Sequence, residues 1–384
     1  MRWLLFISIA VIAWRYILYP FSMALFFSLM ENPVRKKEIY PFISIFISAY
    51  NEEKSIIEKV THITHLDYPR DKMEIIVGCD GSTDETYRIV KQLADENKIR
   101  YGVAFQRIGK NAMVNKLVRD ARGEIFVIVD AMQRIERTAL KELIACFADE
   151  SVGCVLGEVV YDEPREASRE AELLFYDTQD KVLRKLENAV DSTFVTKGGM
   201  YAVRKDLFRY MPEHLLLDDV YMAMNVIMLK KRAVFEPLAR THSLVPRKQE
   251  DSFASIVKKY IGSYQIFSLF LESLNPFKTK VAFQLISHDV LDLIIPYCVI
   301  CAFITNIFLF SQLGFYLLFF LIQIIFYSLA LLGLFLKKTG MKRSSFFRMF
   351  FIPYEFCFYN FAVLAALQLY LFSNKAVRLK DWVS

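Results

Sequence analysis

The chain has 384 residues, which is enough for one large domain and a membrane region. Its composition is 54% hydrophobic and 15% aromatic, too apolar for an ordinary soluble enzyme. We attribute the formal net charge of +6 to membrane topology and to contact with anionic lipids. The sequence has no basic stripe interleaved with aromatic residues, so nucleic acid is not an expected partner.

The first element is an apolar stretch from Leu4 to Leu29, followed by the basic cluster Arg35-Lys36-Lys37. It is longer than a signal-peptide core and lacks a small-residue cleavage site, so we interpret it as a membrane span. Arg15 inside it is costly in lipid and is expected to face another helix or to snorkel. The basic cluster predicts a cytoplasmic flank under the positive-inside rule. Residues 1–38 are therefore assigned to an N-terminal transmembrane helix and its basic flank.

The next segment, residues 39–248, alternates short apolar runs with amphipathic helices. This alternation is typical of a mostly parallel sheet with crossover helices. The predicted strands are Phe42–Ser48, Glu74–Cys79, Tyr101–Phe105 and Ile125–Val129, and the predicted helices are Glu52–His65, Thr83–Asn97 and Asn111–Ala121. Ser82 or Thr83 is expected to cap the second of these helices.

The last part of the chain contains three further apolar stretches, each long enough to cross a hydrocarbon core of roughly 30 Å. They are Val290–Phe310, Phe315–Leu336 and Phe346–Phe372. We assign residues 249–280 to interfacial amphipathic helices and residues 281–384 to a C-terminal transmembrane region of about three spans. The last stretch contains Pro353 and either spans the bilayer or begins as an interfacial helix, which leaves the side of the C-terminus open. The expected location is the cell membrane, with several spans and a cytoplasmic catalytic domain.

Polar residues follow three of the predicted strands. Tyr50 and Glu52 follow the first strand, Asp80 the second and Asp130 the fourth. Ligands of such sheets bind beyond the carboxyl ends of the strands, so these side chains are expected at one rim. An acid at that rim can hold a metal or a ribose, although a single such acid is more often simply solvated. The absence of Gly-x-Gly-x-x-Gly and of a Gly-Lys-Ser loop argues against dinucleotide oxidoreductases and P-loop enzymes.

Six short motifs, taken in order, resemble those of the inverting glycosyltransferases of family 2, from about Pro41 to Phe267. They are Ser48-Ala-Tyr-Asn-Glu-Glu53, Asp80-Gly-Ser-Thr-Asp84, Gly109-Lys110 with Asn115, Asp130-Ala-Met132, Lys197-Gly-Gly-Met-Tyr-Ala-Val-Arg204 and Leu217-Asp218-Asp219. The flanking spans resemble the membrane-embedded, polysaccharide-synthase-like branch. The resemblance implies an α/β GT-A fold for residues 39–248, a Rossmann-like and mostly parallel mixed sheet, joined to transmembrane α-helices.

The resemblance also implies a nucleotide-sugar site. Its binding residues would be Ala49, Tyr50, Glu52, Asp80, Lys110 and Asp130. Tyr50, Glu52 and Asp80 would hold the base and ribose, and Lys110 would lie near the nucleotide or its diphosphate. Asp130 would anchor a divalent metal, Mg²⁺ or Mn²⁺, which neutralises the charge of the diphosphate leaving group.

The same resemblance places the catalytic residues at Asp218 and Asp219. Inversion needs a carboxylate that takes the proton of the acceptor hydroxyl, and Asp219 is the candidate base. Asp218 either tunes the proton affinity of Asp219 by like-charge repulsion or caps the following helix. Gly198 and Gly199 would allow the acceptor to approach the backbone.

The sequence departs from the family pattern at two places. Met132 replaces the second acid of Asp-x-Asp, and a thioether is a poor ligand for Mg²⁺ or Mn²⁺. Either Asp130 supplies the protein ligation alone or the metal is bound weakly. The Gln-x-x-Arg-Trp motif of processive synthases is missing, so Lys258 and Lys259 are candidate acceptor-binding replacements for its arginine. An amphipathic interfacial helix with snorkelling lysines explains that stretch equally well.

The leading hypothesis is a membrane-integral inverting glycosyltransferase of the hexosyltransferase type. Its donor would be a cytoplasmic nucleotide-sugar, with a UDP-sugar expected, and its acceptor a growing polysaccharide or a lipid-linked glycan. One alternative is a polyprenyl-phosphate glycosyltransferase, whose anionic acceptor has less need of a dedicated base. Another is a catalytically degenerate scaffold subunit of a polysaccharide synthase. Partner subunits and a homo-oligomer both remain open.

Overall fold

The computed structural model describes residues 1–131, 133–162, 181–194, 199–244, 249–279, 281–312, 314–338 and 348–372. Within these residues the strands form one eight-stranded sheet in the order β3-β2-β1-β4-β7-β6-β8-β5. The strands are β1 Ile43–Ala49, β2 Met73–Asp80, β3 Arg100–Ala104, β4 Ile125–Asp130, β5 Arg134–Ile135, β6 Val152–Asp162, β7 Met200–Arg204 and β8 Arg232–Leu244.

Helices cover the sheet and continue into the apolar segments. In chain order they are α1 Arg2–Ala13, α2 Tyr19–Leu29, α3 Ile56–Thr64, α4 Thr86–Asp95, α5 Lys110–Leu117, α6 Ala139–Ala145, α7 at residues 181–190, α8 Asp218–Met228, α9 Gln249–Leu269, α10 Ala282–Leu285, α11 Leu291–Leu309, α12 Phe315–Lys338 and α13 Arg348–Phe372. One π-helical turn, Trp14–Leu18, joins α1 to α2, and another, Ile286–Val290, joins α10 to α11.

The four strands predicted from the sequence are confirmed, each within one residue of its expected bounds. β1 pairs in parallel with β2 and β4, and β2 pairs in parallel with β3. The strand β7 runs antiparallel to both β4 and β6, which makes the sheet mixed. Strands buried on both faces read as unbroken apolar runs, which is why the sequence revealed them.

Alternate residues of these strands enter two separate cores. Ile45 and Val127 pack on one face of the sheet in a cluster with α3, α4 and α6. Phe46 and Ile128 pack on the opposite face in a cluster with α5 and α8. The sheet is therefore a rigid middle layer, and side chains at the carboxyl ends of its strands have fixed starting points.

The helices α3 and α4 begin three to four residues later than predicted, because the loops that precede them bind each other. The backbone N–H of Glu52 donates to Thr86 Oγ1 at 2.7 Å, and that of Thr83 donates to Asn51 Oδ1 at 2.9 Å. The expected cap at Ser82 or Thr83 is wrong. Glu85 occupies the cap position, and Asp84 Oδ1, one residue before it, accepts the N–H of Thr86 at 3.0 Å.

Four helical segments of the described chain are long and apolar enough to cross a membrane. They are Arg2–Leu29, Ala282–Gln312, Phe315–Lys337 and Phe350–Phe372. The second begins earlier than predicted because α10 continues through the π-helical turn into α11, and α13 runs through Pro353 without a break. The prediction on the side of the C-terminus depends on residues after 372, which lie outside the described part.

Arg15 faces another helix, which confirms one of the two alternatives expected for it. Its side chain is buried, and it donates to both carboxylate oxygens of Asp292 in α11, at 2.6 and 3.0 Å. A bidentate pair of this kind satisfies a guanidinium that would otherwise be costly in lipid. Arg15 therefore ties the first apolar segment to the second.

Candidate nucleotide-sugar and acceptor site

The carboxyl ends of β1, β2 and β4 lie side by side. In the parallel register Ala49 pairs with Cys79, and Ser48 pairs with Asp130. Tyr50, Asp80 and Asp130 therefore leave the sheet at the same edge, as expected. Ala49 itself is fully buried at the end of β1.

Lys110 connects this edge to the first turn of α8. Its Nζ lies 2.6 Å from Asp130 Oδ1 and 2.9 Å from Asp218 Oδ2. Burial acts to lower the pKa of Lys110, but the charges of Asp218 and Asp130 outweigh it and raise that pKa above its ordinary value. Burial likewise opposes ionisation of Asp130, and Lys110 reverses this and holds the Asp130 pKa below its usual range. The two carboxylates share one ammonium at neutral pH.

The two candidate lysines of α9 face different surroundings. Burial lowers the pKa of Lys258, and the positive charge of Lys110 lowers it further. The charges of Asp130 and Asp218 act in the opposite direction. Lys258 therefore lies within electrostatic reach of Lys110, Asp130 and Asp218, which together are named the Lys110 cluster. Lys259, one residue later and about 100° further around the helix, instead lines a cavity toward α10.

Asp80 holds the loop that leads into α5. Its Oδ1 accepts the N–H of Ile108 at 2.7 Å, and its Oδ2 accepts the N–H of Gly109 at 2.9 Å. Gly81, with φ of +67°, allows this loop to come close, because a Cβ there would lie 2.3 Å from the backbone nitrogen of Arg107. The buried carboxylate thus places Lys110, the residue that follows Gly109.

Arg107, which the sequence reading missed, lies against Tyr50. Its guanidinium carbon is 4.1 Å from the centroid of the Tyr50 ring, within the range of a cation–π contact. Glu52, nearby, is half-buried and accepts a hydrogen bond from the hydroxyl of Ser55. Arg107 and Tyr50 together form a flat wall beside the rim.

Lys59 is a second residue that the sequence reading missed. Its side chain is buried, and Nζ donates to the carbonyl oxygen of Asp130 at 3.1 Å and to that of Gln133. Burial lowers the pKa of Lys59 to about 8, against the opposing charges of Asp130 and Glu52. It bridges the backbone of residues 130 and 133. Met132 lies outside the described residues. The sequence offered one signal for this residue: Lys59 lies three residues after Ile56, on the apolar face of α3.

Gly199 is crowded by the protein's own side chains. With φ of +95°, a Cβ there would lie 2.6 Å from Thr241 Oγ1 and 2.7 Å from Val159 Cγ2. Its carbonyl oxygen accepts the N–H of Asp130 at 3.1 Å. Packing by itself therefore explains why position 199 is a glycine. Its contact with an acceptor stays a prediction. Gly198 lies outside the described residues.

Asp218 and Asp219 both lie within the first turn of α8, so the interpretation of Asp218 as a helix cap is wrong. Leu217 occupies the cap position. Asp218 Oδ2 accepts the hydroxyl of Tyr201 at 3.2 Å as well as Lys110. Asp219 is only 5% exposed. Burial raises the pKa of Cys154 in β6, and the negative charge of Asp219 raises it further. Asp219 therefore lies on the side of the turn that faces the sheet. The positive end of the helix dipole favours both charges.

The chain that leads into this acidic pair is held from two sides. Asn115 of α5 exchanges two hydrogen bonds with the backbone of Met211, at 2.7 and 3.0 Å. Gln265 of α9 accepts the N–H of Leu216 at 3.0 Å and donates to the carbonyl oxygen of His214 at 3.0 Å. Residues 211–216 are therefore positioned by α5 and by α9 at the same time.

The described residues contain no group of three or more His, Cys, Asp or Glu that could hold a metal. A catalytic Mg²⁺ or Mn²⁺ needs only one or two protein carboxylates, because phosphate oxygens and water complete its shell. Asp130 and Asp218 converge on one cation, the Lys110 ammonium, at 2.6 and 2.9 Å. This donor set fits a divalent metal held chiefly by Asp130.

The fold is GT-A-like. Over 96% of this chain and 99% of the other, it superimposes on the mannosyltransferase PcManGT from Pyrobaculum calidifontis, solved in complex with GDP-Man and Mn²⁺. The TM-score is 0.70 and the sequence identity is 22%, so the likeness shows the fold alone. Residues 44–209 match the family model described as Glycosyl transferase family 2. The chain carries a glycosyltransferase family 2 domain, as the motifs predicted, and five of the six motifs lie inside the matched region.

Two curated relatives show what such domains do elsewhere. The Beta-monoglucosyldiacylglycerol synthase of a Nostoc species is 32% identical over 118 residues, 30% of this chain. The Poly-beta-1,6-N-acetyl-D-glucosamine synthase of Staphylococcus aureus is 21% identical over 268 residues, 69% of this chain. The alignments span 25% and 64% of these relatives, so the chain covers about a quarter of the first and under two thirds of the second.

Proposed function

We propose that the protein is a membrane-integral inverting glycosyltransferase. It transfers a sugar from a nucleotide-sugar, with UDP-sugars as the first candidates, to a lipid-linked glycan or a growing polysaccharide. The observation that carries the proposal is the Lys110 bridge, which joins Asp130 at the strand edge to Asp218 at the start of α8. Donor-side and acceptor-side groups thus meet at one cation. The names of the relatives, a glycolipid synthase and a polysaccharide synthase, support the same class.

The donor side is built for a nucleoside diphosphate. Tyr50 and Arg107 offer a flat wall to a base, and Asp80 fixes the loop beneath it. Lys110 and Lys258 bring positive charge to the place where a diphosphate would develop charge in the transition state. A divalent metal on Asp130, when bound, would neutralise the same leaving group.

The acceptor side contains the proposed base. Asp218 is engaged by Lys110 and Tyr201 and positions that cation. Asp219 follows in the same turn and takes the proton of the acceptor hydroxyl as the oxygen attacks the anomeric carbon. The glycosidic bond to the diphosphate breaks on the opposite face, and the nucleoside diphosphate leaves with the electron pair.

Residues 39–248 are proposed to lie in the cytoplasm, where nucleotide-sugars are available. The basic cluster Arg35-Lys36-Lys37 and the four candidate spans support this arrangement. Residues 249–280 would lie at the bilayer surface. In support of this, Val257 and Ile261 of α9 pack against Ala362 and Ala366 of α13, a candidate span.

The test is nucleoside diphosphate release and sugar transfer by the purified protein in lipid nanodiscs, with Mn²⁺ and a panel of UDP- and GDP-sugars. Removing a general base costs about 10²- to 10⁴-fold in rate, so we expect such a loss of transfer in Asp219→Asn. Asp218→Asn should chiefly raise the donor KM, since it loosens Lys110. Asp95→Asn, at an exposed acid in the last turn of α4, serves as the control.

Unchanged transfer in Asp219→Asn, with a lipid phosphate as the best acceptor, would favour the polyprenyl-phosphate reading. Tight nucleotide binding without turnover by any donor would favour the scaffold reading. Loss of transfer in Asp218→Asn but not in Asp219→Asn would move the base to the other carboxylate.

A further inference from the structure

A cavity of about 40 Å³ lies between α8, α9 and the turn after α10. Leu217 and Val220, which flank the acidic pair of α8, form one wall. Its polar lining is Lys259 and Ser263 of α9 and Asp289 of the π-helical turn. The cavity therefore lies beside the first turn of α8, on the side of α9 and α10.

Asp289 presents an unsatisfied oxygen in this lining. Its Oδ2 is buried and accepts no hydrogen bond from any residue that the structure describes. A buried carboxylate oxygen without a hydrogen-bond donor destabilises the fold. The charge of Lys259 acts on Asp289 from across the cavity, but it does not supply a hydrogen bond to Oδ2. The site is thus short of a hydrogen-bond donor.

The rest of the lining is apolar and leads toward the bilayer. Phe267 of α9 and Leu285 of α10 line the cavity. On the same turns Phe283 and Ile286 are 37% and 40% exposed at the start of the candidate span Ala282–Gln312. Large apolar side chains exposed at the end of a span are suited to contact with acyl chains.

We propose that this cavity receives one hydroxyl of the acceptor headgroup and that the acceptor is a neutral lipid with at least two free hydroxyls. The inference rests on the proposed function and names its substrate class. One hydroxyl of the headgroup donates to Asp289 Oδ2 and can accept from Lys259. A second hydroxyl of the same headgroup reacts at Asp219, in the first turn of α8, which takes its proton.

The lining disfavours an ionised lipid phosphate. Such a phosphate offers chiefly acceptor oxygens and cannot satisfy Asp289 Oδ2, and the two negative charges repel each other in a buried setting. Lys259 attracts an anion, but the nearby carboxylate offsets that attraction. A neutral lipid with hydroxyls can donate a hydrogen bond to Asp289 Oδ2 and carries no negative charge that the carboxylate would repel.

The test compares acceptors and two variants, with the donor that the panel identifies. Mixed micelles carry the monoglucoside of dioleoylglycerol as the hydroxylated lipid, dioleoylglycerol itself, which has a single hydroxyl, or dolichyl phosphate, and sugar transfer to each is measured. Ser263→Leu fills the cavity and Asp289→Leu removes the acceptor of the hydrogen bond. We expect each to raise the KM for the hydroxylated lipid about tenfold and the donor KM less than twofold. Ser268→Leu, the same change at an exposed serine of α9, should leave both constants at their wild-type values.

Thermal unfolding of each variant in detergent shows whether it folds. If Asp289→Leu does not fold, Ser263→Leu still tests the inference. Transfer by the wild type to dolichyl phosphate but not to the monoglucoside would overturn the inference and would favour a polyprenyl-phosphate glycosyltransferase. If wild-type turnover is normal and neither variant alters the acceptor KM, the cavity holds only water, and the inference is overturned while the proposed function stands. A wild-type protein that cleaves no donor would instead overturn the proposed function itself.

Discussion

Lys110 donates to Asp130 and Asp218 at once, so the charge balance of the site depends on a single side chain. Sequence reasoning identified all three residues because each stands in a motif or at a strand end. It did not identify Lys59 or Arg107, whose partners are distant in the chain. Lys59 bonds to the carbonyl oxygen of Asp130, 71 residues later.

Replacing Lys110 with Gln should leave two carboxylates facing each other with less compensation. We expect a lower Tm and a donor KM raised at least tenfold, because one unit of charge at the diphosphate is lost. Mn²⁺ should raise the Tm of this variant more than that of the wild type, since a divalent cation can neutralise the pair. Lys116→Gln, at an exposed lysine of α5 that bonds to the carbonyl oxygen of Val103, is the control. An equal Mn²⁺ effect in all three proteins would contradict the expectation.

Gly81→Ala should disturb the loop that Asp80 holds. The new Cβ would meet the backbone of residues 106 and 107 at 2.3 to 2.9 Å, in addition to the strain of a positive φ. We expect a loss of stability of more than about 1 kcal/mol and a raised donor KM. Gly314→Ala is a matched control, because Gly314 has φ of +59° and nothing within 4 Å of its Cβ position. Similar Tm losses in both variants would show that the loop contact is unimportant.

At the opposite edge of the sheet Glu74 ties three strands together. It accepts hydrogen bonds from Ser44 of β1 at 2.6 Å, from Arg100 of β3 at 2.8 Å and from the N–H of Arg122 before β4 at 2.7 Å. At the carboxyl ends of the strands, the starts of α3 and α4 are likewise held by hydrogen bonds between two loops. Local periodicity predicted the strands well, whereas α3 and α4 started late because hydrogen bonds between two loops replaced their first turns.

The contribution of Glu74 to stability should depend on pH. Burial acts to raise its pKa, but the hydrogen bonds from Ser44, Arg122 and Arg100 prevail and lower it. A lowered pKa in the folded state means a contribution that is complete above the unfolded value of about 4.3 and is lost as the pH falls through the folded value. The Tm of the wild type should exceed that of Glu74→Gln at pH 7, and the difference should shrink on acidification below about pH 5.

Glu58→Gln, at an exposed acid of α3, provides the reference for that titration. A Tm difference between the wild type and Glu74→Gln that is constant from pH 7 to pH 3.5 would contradict the linkage.

The candidate membrane spans and the α/β domain are joined by buried polar contacts. Tyr19 donates to Glu187 Oε1 at 2.5 Å, and His288 Nδ1 lies 2.9 Å from the same oxygen. Arg15 and Asp292 form a second link between the first two apolar segments. These contacts join parts of the chain that are more than 100 residues apart, so no local pattern could have predicted them.

Breaking the Arg15–Asp292 pair from one side should be worse than removing it altogether. Arg15→Met leaves a carboxylate among apolar helices, and we expect a loss of roughly 3 kcal/mol, the lower end for a buried pair. Asp292 is 23% exposed, which is why the lower end applies. The double variant Arg15→Met with Asp292→Leu should recover much of the loss. Thermal unfolding in detergent measures the cycle, and additive losses would show that the two residues do not interact.

The order of the motifs, the four strands and the four apolar segments could all be read from the chain, because each depends on the periodicity and chemistry of neighbouring residues. The different positions and contacts of adjacent residues could not be read from the chain. Lys258 joins the Lys110 cluster while Lys259 faces the cavity with Asp289, and Asp218 meets Lys110 while Asp219 lies toward the sheet. Such pairs separate only when a helix docks at a given rotation against distant parts of the chain. That rotation is set by packing across the whole molecule, to which one stretch of sequence contributes only a single surface.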